Sequence, residues 1–180
     1  MEVTTPTEEE LIKQARKDPS RFEPVYNKYF EEIFHFINKR TNNQDITFDI
    51  TQQVFFNALN SIGTYKHKGY PFSSFLYKIA INECNKYFRD RTKVRYISIA
   101  SDSIEVLSEE VDFDEGLKEA LLEKALGKLK NQEVILIELR FFEKRSFREI
   151  ASILEIKETN AKVRLHRIIK KMKKIINDEK

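Results

Sequence analysis

The chain has 180 residues, 41% of them hydrophobic and 34% charged, with a formal net charge of +3. That balance excludes fibrous, low-complexity and disordered classes and suits a largely helical protein built as one domain or two small ones. No 18-residue apolar run exists, the opening MEVTTPTEEE has no apolar signal core, and the single Cys84 leaves no internal disulfide framework, so neither membrane insertion nor secretion is expected, and a cytoplasmic location is.

From Thr7 to about Lys39 the sequence reads as helix, broken at Asp18-Pro19-Ser20. Leu11, Ile12 and Ala15 precede the break, and Phe22, Tyr26, Tyr29, Phe30, Ile33, Phe36 and Ile37 follow it at three-four spacing, the signature of a core face. A second helix is predicted from Asp45 or Thr47 through Leu59. Gly63 and the run Tyr65-Lys66-His67-Lys68-Gly69-Tyr70-Pro71 then mark a loop. A third helix, Phe72 to about Arg91, sets an apolar face (Phe72, Phe75, Leu76, Ile79, Ala80, Phe88) against the polar residues Ser73, Ser74, Lys78, Asn82, Asn85, Lys86 and Arg89. Aromatic rings beside cations suit single-stranded DNA, because unpaired bases stack on rings while Lys and Arg hold phosphates. The same rings at helical spacing also serve as the core of a helix bundle.

Charge is divided unevenly along the chain. Residues 1–95 carry 15 basic and 12 acidic side chains, residues 96–116 none and 7, and residues 117–180 carry 17 and 10. The middle stretch lacks a sustained helical period and reads as an acidic linker that phosphate would repel, between two basic modules. Beyond it, helix is predicted over Leu117 to Leu129 and Gln132 to Phe142, with Asn131 and Lys144-Arg145-Ser146 as connections.

The segment Ser146 to Lys174 reads as two helices around a short turn, Glu155-Ile156-Lys157. Phe147, Ile150, Ala151, Ile153 and Leu154 form one apolar stripe. Leu165, Ile168, Ile169, Met172, Ile175 and Ile176 form the other. In a helix-turn-helix the N-terminal half of the second helix enters the major groove, which places Asn160, Lys162, Val163, His166 and Arg167 to reach base edges or nearby phosphates and Arg164 to hold the DNA backbone. The competing reading is a solvated basic face.

No catalytic constellation is present in the sequence. His35, His67 and His166 are widely separated, and neither a paired-histidine motif, a CxxC, a Gly-rich phosphate loop nor a nucleophile elbow occurs. Asp102, Asp112 and Asp114 fall in the linker as solvated carboxylates. No enzymatic activity, cofactor or metal is expected.

Three blocks in order resemble the extracytoplasmic function (ECF) sigma factors, the small two-domain members of the bacterial sigma-70 family. DITFDITQQVFFNAL, with Asp49, Ile50, Gln52, Gln53, Val54 and Phe55, resembles the region that docks on RNA polymerase. FSSFLYKIAINECNKYFRDR is similar to the helix that opens and reads the minus-ten element, with Phe75 in place of a usual Trp, Asn82 at a common Asn, and Arg89 and Arg91 in the basic tail. LKNQEVILIELRFFEKRSFREIASIL and the following helix resemble the domain that binds the minus-thirty-five element, Arg164-Leu165-His166-Arg167 echoing a frequent Arg-Leu-His-Arg. The chain departs from that pattern at Glu155, where a turn Gly is usual, at Lys157, which replaces a helix-opening Pro, and at Val163, which replaces a small polar residue.

The resemblance implies an all-α fold of two small helical domains, a sigma-2-like bundle (1–95) and a sigma-4-like helix-turn-helix domain (117–180), joined by the acidic linker (96–116). It implies a promoter-recognition subunit without catalysis, partnered by the beta-prime and beta subunits of core RNA polymerase, by promoter DNA both duplex and melted, and by an anti-sigma protein or another recruiting factor. Asp49, Gln52, Gln53 and Phe56 would face polymerase. Tyr65, Lys66, His67, Lys68, Tyr70, Ser73, Ser74, Asn82, Lys86 and Arg89 would serve the minus-ten element, and Asn160, Lys162, Val163, Arg164, His166 and Arg167 the minus-thirty-five. The alternatives left open are a free-standing helix-turn-helix regulator and a purely protein-binding helical adaptor.

Overall fold

The computed structural model describes residues 6–89, 107 and 118–178, and the chain divides into two compact units, 1–98 and 99–180. All regular elements among the described residues are helical. The expected acidic linker lies outside the described residues apart from Leu107, which is fully buried.

The first unit opens with α1 (Glu8–Lys17). Thr7 caps it through a capping box with Glu10, Thr7 N donating to Glu10 Oε2 at 2.7 Å and Glu10 N donating to Thr7 Oγ1 at 3.3 Å. The Asp18-Pro19-Ser20 break is a 3₁₀ turn, Pro19–Phe22, that leads directly into α2 (Glu23–Thr41). Asn42 ends α2 in the left-handed region, and Asn43 caps α3 (Gln44–Ser61), its Oδ1 accepting from Ile46 N at 2.9 Å. After the loop comes α4 (Phe72–Arg89).

Helices α2, α3 and α4 pack on one another, and α1 lies against α2. Phe22 meets both Phe55 and Phe72 edge-on with centroids 6.4 Å apart, and Phe36 meets Tyr77 at 4.8 Å. Val25, Ile33, Ile37, Leu76 and Ala80 fill the space between, all fully buried. Burying one such aliphatic or aromatic side chain contributes about 1.5–3 kcal/mol for the larger types, which is why this periodic face decides the bundle. Cys84 is buried here as a small apolar residue.

The second unit comprises α5 (Lys118–Gly127), α6 (Asn131–Ile137), a π-helical turn (Glu138–Phe142), α7 (Phe147–Leu154) and α8 (Glu158–Asn177). The helix expected to run unbroken to Phe142 widens at Glu138, where Glu143 N donates to Glu138 O at 2.8 Å. The extra residue per turn lets Leu139, Phe141 and Phe142 all face the core. Helices α5, α6 and α7 each pack against α8, through Leu122, Leu136 and Ile150 on their side and Leu165, Ile168 and Met172 on α8.

Candidate nucleic-acid and polymerase interfaces

In the second unit the turn between α7 and α8 is built as the sequence predicts. Ser146 and Glu149 form a capping box at the start of α7, Ser146 N donating to Glu149 Oε2 at 2.9 Å, and Arg145 Nη1 lies 3.5 Å from Glu149 Oε1. Burial pushes the Glu149 carboxyl up, but hydrogen bonds from Ser146 and the Arg145 cation outweigh it and hold the group below the ordinary glutamate range. Glu155 closes α7 at φ 54° and ψ 43°, with Ile156 N donating to Ala151 O at 3.0 Å. A side chain in this left-handed conformation costs roughly 1–2 kcal/mol relative to glycine, so the fold uses the αL cap even without the usual residue.

Ala161, Leu165, Ile168, Ile169, Met172 and Ile176 bury one side of α8. The other side exposes Asn160, Lys162, Val163, Arg164, His166 and Arg167, all six residues expected to meet duplex DNA. Asn160, Val163, Arg164 and Arg167 recur at three-four spacing and form one outward stripe. Arg164 Nε donates to Asn160 Oδ1 at 3.0 Å, and Lys162 pairs with Glu158 at 2.7 Å while lying 5.7 Å over the Phe147 ring. Val163 is 48% exposed, a large apolar side chain with nothing to bury it in the unit. Beside the stripe an open cavity of about 540 Å³ runs between Lys130 just before α6, Glu133 on α6, Leu154 on α7, and Arg164 and Arg167 on α8. Sequence reasoning missed its α6 wall, since Lys130 and Glu133 are brought to α8 only by tertiary packing.

In the first unit α4 exposes Asn82, Lys86 and Arg89 on successive turns. Ser73 and Ser74 are different from what was expected. They are only 1% and 5% exposed, because they start the same stripe as Tyr77, Ile81 and Cys84, so they face the bundle. In the loop, Lys66, His67 and Lys68 are exposed, Tyr65 and Tyr70 half-buried. Gly69 takes φ +74°, a conformation that favours glycine there. Tyr65 packs on Phe72 and Phe75 at centroid distances of 5.0 and 4.9 Å, so its ring buttresses the loop. Burial and the Glu8 charge push its phenol up.

The outer face of α3 carries Asp49, Gln53 and Phe56 exposed and Gln52 half-buried, on three successive turns. Gln52 Nε2 donates to Tyr26 Oη at 3.0 Å, Gln53 Nε2 to Asn57 Oδ1 at 2.9 Å, and Asn57 Nδ2 to Glu83 Oε1 at 3.0 Å, which ties this face to α2 and α4. Phe56 is 60% and Phe48 50% exposed. Phe48 meets Phe30 at 6.4 Å, and Phe30, which the sequence reading assigned to the core, stacks on Phe34 at 5.7 Å, extending an aromatic surface onto α2. Among the described residues no cluster of metal-ligating side chains occurs, and no helix is long and apolar enough to cross a membrane.

A family model for sigma-70 region 2 matches residues 25–94, and one for sigma-70 region 4 matches residues 119–172, together well over half of the chain. The RNA polymerase sigma factor YlaC of Bacillus subtilis (strain 168) is 27% identical over 88% of this chain and 93% of its own length. The ECF RNA polymerase sigma factor BldN of Streptomyces coelicolor (strain ATCC BAA-471 / A3(2) / M145) is 25% identical over 94% of this chain, which spans 66% of BldN. Among solved structures, CnrH in complex with the cytosolic domain of CnrY shares the fold at a TM-score of 0.63 and 17% identity, covering 94% of this chain and 97% of that one. With a region 2 unit, a region 4 unit and relatives of this kind along nearly its whole length, the chain belongs to the sigma-70 family, as an RNA polymerase sigma factor of the extracytoplasmic function type.

Proposed function

We propose that the chain acts in the cytoplasm as a non-catalytic specificity subunit that binds core RNA polymerase, reads two promoter elements and helps separate the strands near the start site. The domains proposed for this are 1–95 and 117–180, with the acidic stretch 96–116 as the linker that joins them. The observation that carries the reading is the outward stripe of α8, where Asn160, Val163, Arg164 and Arg167 stand clear of a fully apolar inner face. A rigid helix of that character reads a duplex element in the major groove. A melted element needs unpaired bases held near cations, and Lys66, His67, Lys68 and Tyr70 with Asn82, Lys86 and Arg89 supply that chemistry. Ser73 and Ser74 are buried against the bundle, which does not favour a contact from them, and Tyr65 supports the loop through its packing.

Asp49, Gln52, Gln53 and Phe56 form the proposed surface that faces core polymerase, whose beta-prime and beta subunits are the proposed partners. An anti-sigma protein or another recruiting factor is a further proposed partner, as the cytosolic domain of CnrY is for the similarly folded CnrH. A free-standing regulator would need no such face on α3. Pull-down with core polymerase tests the docking face directly. Asp49→Ala with Gln53→Ala is expected to weaken capture and promoter-directed transcription together, and unchanged capture would remove the assignment.

A further inference from the structure

Helix α1 precedes the matched region 2 segment, which begins at residue 25, yet two of its side chains reach across the unit to the loop assigned to unpaired DNA. At the near end, Arg16 Nε donates to Ile62 O at 2.9 Å, and its Nη2 donates to Tyr65 O. At the far end, Glu8 Oε1 accepts from Phe72 N at 2.8 Å, a carboxylate placed at the first residue of α4. Tyr29 and Lys28, both on α2, also donate to Glu8, the latter at 3.0 Å. Glu8, Ile12 and Arg16 recur every four residues, and Ile12 is 2% exposed, so the stripe is seated on the bundle. The two anchors are eight residues apart on one helix, about 12 Å along its axis at 1.5 Å per residue. The loop's own main-chain bonds lie at its ends, Tyr65 N to Ser61 O and Ser74 N to Pro71 O, both 3.0 Å.

We propose that α1 is a positioning clasp for the base-reading loop: Arg16 and Glu8 fix its two ends, so that Lys66, His67, Lys68 and Tyr70 meet unpaired DNA from a preset arc. Holding the arc removes the ordering cost that a free loop would add on binding, and it fixes which base each side chain meets. Arg16 and Glu8 are positioning residues and touch no DNA themselves. The clasp rests on the reading of this loop as the part that meets the melted element.

The test uses the full chain assembled with core polymerase and a randomised single-stranded oligodeoxynucleotide pool, scoring the enrichment of whatever motif the wild-type holoenzyme selects. Arg16→Ala and Glu8→Ala are each expected to lower that enrichment about two- to tenfold, the scale of one lost hydrogen bond, with core affinity unchanged. Lys66→Ala with His67→Ala is the loop control and is expected to lose enrichment more deeply. Wild-type enrichment in both α1 variants, with loss in the loop control, overturns the clasp and leaves the loop reading standing. Wild-type enrichment in the loop control overturns both. A fall in core affinity and melting temperature in step with enrichment also overturns the clasp, since α1 would then only stabilise the bundle.

Discussion

Lys171 Nζ on α8 lies 2.6 Å from Glu133 Oε2 on α6, and the same oxygen accepts the main-chain N–H of Lys130 at 2.7 Å. One carboxylate thus closes the first turn of α6 and ties it to α8, the helix that presents the reading stripe. Glu133 also belongs to the wall of the cavity beside Arg164 and Arg167.

This tie predicts a specific pH dependence. Burial pushes the Glu133 carboxyl up, but the Lys171 and Lys130 bonds outweigh it and hold the group below 4.5. A lowered folded-state value means that the stabilisation is present above 4.5 and is lost as pH falls through the folded value. Because both side chains are partly exposed, Lys171→Met is expected to cost no more than about 1 kcal/mol at neutral pH. Thermal unfolding of both proteins in steps below pH 4.5 should show the gap closing.

Glu155→Gly should stabilise the second unit. Glu155 holds φ 54°, where glycine has no Cβ penalty, so the gain expected is about 1 kcal/mol, less what glycine adds in unfolded-state entropy. Chemical denaturation of the full chain measures it, with the midpoint rising in the variant.

Val163, 48% exposed on the reading stripe, is expected to cover a thymine methyl in the duplex element. Replacing thymines one at a time by uracil should weaken wild-type holoenzyme binding at one position by about 0.8 kcal/mol, roughly fourfold, the worth of one buried methyl-sized group. In Val163→Ser that position should become insensitive to the change. Equal sensitivity in both proteins would remove Val163 from base reading.

Phe56 projects from α3 with 60% of its surface exposed. Phe56→Ala is therefore expected to change folding stability by no more than about 0.5 kcal/mol. Affinity for core polymerase should fall by about 1–2 kcal/mol, and titration of core with labelled protein checks it.

The helices were legible because their apolar residues recur at helical spacing, whereas the caps at Thr7, Asn43 and Ser146 emerge only in the structure. The turn at Glu155 followed from the length of the connection alone. Ser73 and Ser74 were misplaced because polarity was taken as exposure, although Tyr77 one turn later marks their side of α4 as buried. The π-helical turn was hidden by the unbroken apolar run from Val134 to Ile137, which looks the same in either helix type. Glu8 and Arg16 carried no local signal, since their loop partners lie 46 to 64 residues away in the chain. Phe30 fits a core pattern, and only the packing of α2 on α3 leaves it half-buried beside Phe34 and the exposed Phe48.

Run-off transcription with core RNA polymerase on a randomised promoter library tests the central claim most directly. A specificity subunit should yield discrete transcripts only when the protein and core are combined, from templates sharing two sequence elements at fixed separation upstream of the start. Absence of any protein-dependent transcript, together with DNA binding by the isolated chain that core polymerase does not increase, would contradict it.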